Sequence, residues 1–537
     1  MAGESRPVHG PEAPRLLWDL REGRRMVPGR LGVCSLRLFE GKRAGTDGTL
    51  PAQARFAAMF LALFLPLGLF LSGSLPLGQV PDEPAHVLRA ESLLHGEWIG
   101  ERRTRPDETG RVRAQEGVMA DPAMLDALST YPHPNDHHPV HVSGGDLARG
   151  EAARFHDHTS FMELGTIASY SPIFYVPSAL AIGATRATRG TPHTAFLAAR
   201  LCNLVLFGVM GGMALLLARR GRALLLATLL LPTSVSLAGS LSQDGLIIAA
   251  TVLAAACMSR VGAEAEPWRS PSFLAAGVLV AAIVLAKPPY LPVASLLLLP
   301  LRLGAGRRWP PFAGQRLGAI LLVMLLASCW TWLTVRYCSS PIVRAPEEAG
   351  PLWPGSRPAV FDATDMGAQL RVLLARPWLF VTLPFHTIRR FPDVFTQLLG
   401  VLGWINLVLP KRLLALWAAA LLAALLADGG AVGGRTLREG SSWQEALLLG
   451  GAAFATLLLI YLSQYLSFTP VGYDWISGVQ GRYLVPLLPL LALAVPVVPA
   501  WSRSRLPGWL LVVPAVAGLA SLYAVPRAVI AFYYAGP

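Results

Sequence analysis

Lysine is almost missing from this chain: of 46 Lys and Arg residues in 537, only Lys42, Lys287 and Lys411 are lysine. Charge of any kind is scarce, 15% of residues against about 25% in soluble domains. That excludes a disordered polymer and argues against a water-soluble globule. The five cysteines form no disulfide framework. Cys202, Cys257 and Cys329 fall in apolar runs, and Cys34 and Cys338 fall on opposite sides of the membrane in the topology below. Zinc-finger spacing, RNA-binding motifs and a basic recognition helix are absent, so the net charge of +13 implies no nucleic-acid partner. Also absent are a phosphate-cradling glycine loop, a nucleophile elbow and an HExxH motif, so ATP-driven transport has no support. Neither solenoid repeats nor an inverted duplication of the transporter kind is evident.

Apolar residues are what the chain has in excess, at 53%, and their placement decides its class. Runs such as Phe56–Leu75, Thr194–Ala218, Leu317–Val335 and Ala446–Leu466 are long enough to cross a hydrocarbon core about 30 Å thick. We expect an all-α polytopic membrane protein with about eleven spans, within a range of 10–13. They are placed near 56–76, 194–218, 222–241, 245–260, 272–287, 290–303, 317–336, 413–427, 446–466, 483–500 and 508–525. Residues 1–55, rich in Arg, Gly and Pro, read as a disordered basic cytoplasmic tail, and residues 56–530 as the membrane domain. Arginine in alternate short loops (219, 220 and 222; 260 and 269; 302, 307, 308 and 316; 435 and 438; 503 and 505) puts those loops inside by the positive-inside rule. Two long segments, 78–193 and 337–412, then lie outside. Tyr170–Ala187, interrupted by Pro172 and Pro177, reads as a juxtamembrane or re-entrant helix, and Pro377–Leu409 is ambiguous in the same way.

The ionisable residues worth weighing gather at the external ends of spans. Asp82 and Glu83 follow the first span, with His86 one helical turn beyond Asp82. Carboxylates there suit a general base or a divalent cation, and equally an ordinary helix N-cap. Asp244, in the turn Ser240-Leu241-Ser242-Gln243-Asp244-Gly245, falls on the same face, as a second acid or as turn punctuation. Lys287, in Ala286-Lys287-Pro288-Pro289-Tyr290, reads as a snorkelling anchor or a phosphate contact, and Arg482 in Gly481-Arg482-Tyr483 opens another span on that face. Arg200 suits either a site cation or the structural partner of an acid. His133, His137, His138 and His141 resemble a metal cluster but read better as solvated loop, as do His156 and His158.

The ordered set Val80-Pro81-Asp82-Glu83-Pro84-Ala85-His86, Tyr170-Ser171-Pro172, Ala199-Arg200-Leu201-Cys202-Asn203, Ser242–Asp244, Lys287-Pro288-Pro289-Tyr290, Gly400-Val401-Leu402-Gly403-Trp404 and Gly481-Arg482-Tyr483 resembles a bacterial family of polytopic membrane proteins of unknown function. That family is similar in layout to the GT-C glycosyltransferases. The resemblance, over about residues 55–525, implies a cell-membrane transferase moving a sugar from a polyprenyl-phosphate donor to an envelope glycan or lipid acceptor on the external leaflet. It implies Asp82 as base and Glu83 as acceptor or metal partner. His86, Arg200, Asp244, Lys287, Tyr290, Arg482 and Tyr483 would bind substrate, Lys287 and Arg482 on the phosphate. A divalent cation, if used, would fall to Asp82, Glu83 and Asp244. The alternatives are a flippase for lipid-linked glycan and a non-catalytic envelope-assembly scaffold.

Overall fold

The computed structural model describes residues 52–106, 110, 112–128, 141–262, 265–301, 312–342, 364–429, 442–496 and 506–535. The basic tail up to residue 51, Cys34, His133, His137 and His138 lie outside these residues. So do the loop arginines at 302, 307, 308, 435, 438, 503 and 505.

The first helix, α1 (Ala52–Ser74), runs into a loop and then α2 (Glu83–Ser92). Next come strands β1 (Glu101–Pro106) and β2 (Val112–Ala120), the short helices α3 (Ala123–Asp126) and α4 (Gly144–Ala152), strand β3 (Ser160–Glu163) and helix α5 (Val176–Ala187). The strands form one antiparallel sheet in the order β1-β2-β3, with Arg105 opposite Arg113 and Val118 opposite Met162. The sheet qualifies the all-α expectation. Its first strand, Glu-Arg-Arg-Thr-Arg-Pro, carries no apolar alternation by which a strand is recognised.

Helices α6 (Pro192–Leu217), α7 (Arg222–Leu230), α8 (Pro232–Ala238), α9 (Gln243–Met258), α10 (Pro271–Ala286) and α11 (Ala313–Tyr337) follow. Then come α12 (Met366–Ala375), α13 (Leu379–Arg390), α14 (Asp393–Gly400), a hairpin of β4 (Val401–Leu402) and β5 (Leu407–Val408), α15 (Lys411–Gly429) and α16 (Trp443–Ser467). The chain ends with α17 (Leu488–Ala494) and α18 (Val512–Tyr533). Every residue of α9 is buried, so it stands at the centre of the bundle against α6, α10 and α8, as a helix apolar on all sides must.

Among the described residues six helices are long and apolar enough to cross a membrane: α1, α6, α11, α15, α16 and Gly508–Tyr533; the α8–α9 pair, bent by 115°, brings the number to seven if it is one span. The eleven expected segments are therefore not all long, continuous α-helices. Pro232 divides the predicted span 222–241 into α7 and α8, and 272–287 forms the 16-residue α10. The runs 290–303 and 483–500 begin as 3₁₀ segments, Pro288–Leu298 and Gly481–Leu487, because prolines at 288, 289, 292 and 486 remove the amide donors an α-helix needs. Hydropathy counts apolar residues and takes no account of these breaks.

Candidate functional site

The loop between α1 and α2 is held by a single guanidinium. Arg200, fully buried on α6, donates to Glu83 through Nε (2.9 Å) and Nη2 (2.6 Å) and to the carbonyls of Ser72, Leu75 and Pro76. The carboxylate of Glu83, also fully buried, accepts in addition from Gly78 N (3.1 Å) and Leu241 N (3.2 Å). One ion pair thus binds the end of α1, the start of α2 and the turn before α9. Both Glu83 oxygens are occupied by these protein donors, and Arg200 is its ion-pair partner.

Asp82, next to it, adopts a left-handed conformation (φ 62°), uncommon outside glycine and concentrated at functional sites. Its carboxylate meets Nη2 of Arg482, whose Nη1 donates to Pro81 O at 3.0 Å. Nε of Arg482 lies 3.1 Å from Oδ2 of Asp244, and the other oxygen of Asp244 meets Nζ of Lys287. Four residues from four separate parts of the chain therefore form an unbroken row of alternating charge, Asp82, Arg482, Asp244, Lys287. Two acids and two bases balance, as burial demands. Exposure separates them: the side chain of Asp82 is 34% open, against 5% for Arg482 and Asp244 and 13% for Lys287.

Local chemistry explains each position. Ser242 caps α9 by accepting from Asp244 N, which puts the Asp244 carboxylate in the first turn of the central helix, where the helix dipole favours an anion. Lys287 ends α10 because Pro288 and Pro289 stop it there. Gly481 abuts the backbone of α14 so closely that a Cβ would meet Val394 and Leu398, and this contact delivers Arg482 beneath Asp82. Lys287 Nζ also lies 4.3 Å from the ring centre of Tyr483, and Tyr290 Oη donates to Tyr483 O at 2.8 Å.

The two ends of the charged row face two cavities. One, about 230 Å³, is lined by Lys287, Tyr290 and Tyr483 together with Tyr170, Trp330 on α11 and Gln464 on α16. The other, about 380 Å³, is lined by Asp82 and Trp404 with Leu88, Met162, Glu163 and Ile167. Trp404, at the tip of the β4–β5 hairpin, is fixed by donation from Nε1 to Gly78 O at 2.6 Å. Its part in a cavity wall was not foreseen, although it closes the Gly400–Trp404 motif.

His86 is buried one turn beyond Asp82, with Nδ1 2.6 Å from Tyr175 Oη. Burial pulls its pKa down to about 4, so the ring is neutral at pH 7. The set considered for a divalent cation does not converge: Glu83 faces Arg200, and Arg482 stands between Asp82 and Asp244. Among the described residues no group of three or more His, Cys, Asp or Glu suits a metal. His156 lies 3.6 Å from Asp121 and 3.4 Å from Asp126 and stacks on His158.

The chain belongs to the family described as predicted membrane protein (DUF2142), whose profile matches residues 63–491. No curated protein and no solved structure gives a significant match.

Proposed function

We propose that this membrane protein is a glycosyltransferase of GT-C type that moves a sugar from a polyprenyl-phosphate donor to an envelope glycan or lipid acceptor on the external leaflet. The observation that supports this reading is one open carboxylate, Asp82, and one cation, Lys287, at the two ends of a single charged row, each facing a cavity. A transfer from a lipid phosphate to a hydroxyl uses a base for the hydroxyl and a cation for the leaving phosphate, with the sugar's anomeric carbon reached from both. The donor phosphate enters the Lys287 cavity, which α11 and α16 flank, and the acceptor enters the Asp82 cavity beside Trp404.

In the reaction the acceptor oxygen bonds to the anomeric carbon as the bond from that carbon to the phosphate oxygen breaks. Asp82 takes the hydroxyl proton, and the polyprenyl phosphate leaves with the electron pair. Lys287 stabilises the charge that develops there. Asp244 holds both cations in place, and Glu83 with Arg200 positions Asp82. No step is assigned to a divalent cation, because the residues do not gather one.

The test is the extracellular glycan profile of cells lacking the protein, complemented with the wild-type chain or with Asp82→Asn at matched membrane levels. We expect a sugar substituent to vanish on deletion and return only with wild type, the variant falling by about 10²–10⁴-fold in rate. Full restoration by Asp82→Asn would favour the scaffold reading. An unchanged profile on deletion would remove the transferase reading altogether.

A further inference from the structure

Among the described residues β1 is an edge strand, paired on one side only, and along it lie Arg102, Arg103 and Arg105. Arg103 and Arg105 share one face of the strand and lie over the Phe161 ring, their guanidinium carbons 5.1 and 4.8 Å from its centre. Arg102 points to the other face and donates to Ser339 O (2.9 Å) and Arg336 O (3.3 Å), carbonyls at the C-terminal end of α11. Those contacts satisfy groups that a helix end leaves open and fasten the strand to the end of that helix. Arg336 itself, in the last turn of α11, is exposed and lies over Tyr337 at 5.5 Å. Arg103 pairs with Glu101; among the described residues Arg105 and Arg336 meet no carboxylate.

Of the six apolar helices, α11 has the smallest share of its most apolar 18-residue stretch buried, 22%. Its outward side carries Leu321, Leu325, Trp332 and Val335, the face of a helix lying against lipid. Trp332 and Tyr337, both exposed, mark the level at which aromatic rings sit at a membrane surface. Arg102, fastened to the end of α11, brings the arginines of β1 to that level. That end of α11 also borders the Lys287 cavity, since Thr334, Val335 and Ser339 line its wall.

We propose that Arg102, Arg103, Arg105 and Arg336 form a docking strip for the anionic head groups of membrane phospholipid at the mouth of the Lys287 cavity. Guanidinium groups bind phosphate through paired donors, and each basic residue held at an anionic surface adds to the attraction. The apolar side of α11 below the strip selects a membrane surface over a soluble polyanion. This assignment does not depend on the transfer reading, because it concerns which lipid borders the protein and needs no donor.

The test reconstitutes the full chain in vesicles of phosphatidylcholine containing a trace of photo-crosslinkable phosphatidylglycerol, with phosphatidylcholine bearing the same group as the control. Adducts are mapped by mass spectrometry on the peptides spanning residues 101–106 and 332–340. We expect the phosphatidylglycerol adducts there to exceed the control several-fold and to fall as salt rises. In Arg103→Gln/Arg105→Gln/Arg336→Gln the excess should disappear, while adducts around Arg219–Arg222, at the other end of the bundle, persist. Arg105→Gln alone, which removes only a ring contact, serves if the triple variant does not fold. Equal labelling by the two lipids, or an excess unchanged in a folded variant, overturns the proposal. Protection of the strip by soluble polyphosphate with no phosphatidylglycerol preference also overturns it, in favour of a soluble polyanion.

Discussion

At the scale of single residues, the acids of the site divide by environment rather than by type. Glu83 and Asp82 are neighbours, yet one is sealed against Arg200 and the other faces a cavity. Removing one partner of a buried ion pair strands the other, so Arg200→Met should lower unfolding stability by about 3–5 kcal/mol. The double variant Glu83→Gln/Arg200→Met should recover part of that loss, as thermal unfolding of the purified protein would show. Lys287→Gln leaves Asp244 its contact with Arg482, so we expect normal membrane levels with transfer reduced about 10²–10³-fold, and partial rescue by Lys287→Arg. The glycan assay described above reads both. Much of this site was legible. The alternation of arginine-rich loops put Asp82, Asp244, Lys287 and Arg482 on one face, and the structure joins these four into one row. What could not be read was which acid each cation takes, since that depends on distances between spans far apart in the chain.

Among the elements, those with a long unbroken apolar run were the readable ones: α1, α6, α11, α15 and α16 lie close to their expected bounds. The sheet and the β4–β5 hairpin were not, because two-residue strands and an arginine-rich edge leave no pattern in hydropathy. The hairpin places Trp404 between two left-handed residues, Gly403 (φ 62°) and Ile405 (φ 64°). The second is β-branched and so held against its own preference by the surroundings. A methyl group at position 403 would meet Asn406 Oδ1 and Tyr533 Oη as well as the φ penalty. Gly403→Ala should therefore lower the melting temperature, by an amount equivalent to more than about 1 kcal/mol, and shift Trp404 away from the Asp82 cavity. Quenching of Trp404 fluorescence, read as the difference from Trp404→Phe, checks that displacement.

For the whole molecule, two buried groups set opposite limits on stability with pH. Burial holds His86 near 4, below its ordinary 6.5, so folding keeps it neutral; its contribution is complete above about pH 6.5 and is lost as pH falls towards 4. Burial raises Glu116, on β2, from 4.5 to about 7, so the folded protein holds a proton that the unfolded chain releases. Its contribution is present below about pH 4.5 and is lost as pH rises to 7. Stability should thus be greatest in mildly acidic solution. Glu116→Gln should raise it by about 3 kcal/mol at pH 8 and little at pH 4.5, measured by thermal unfolding across that range.

The charged row has a consequence for biogenesis. Asp82 emerges early in synthesis, but its partner Arg482 lies 400 residues later, and the Arg200 that braces its neighbour lies 117 residues after Glu83. A ribosome-bound chain therefore exposes an unpaired carboxylate at the end of its first inserted helix for most of translation. The charged row is complete only when the segment bearing Arg482 has entered the bilayer. Fragments released before residue 482 should be inert and quickly degraded, whereas two halves divided between α11 and α12 and expressed together could restore the row by reassociation.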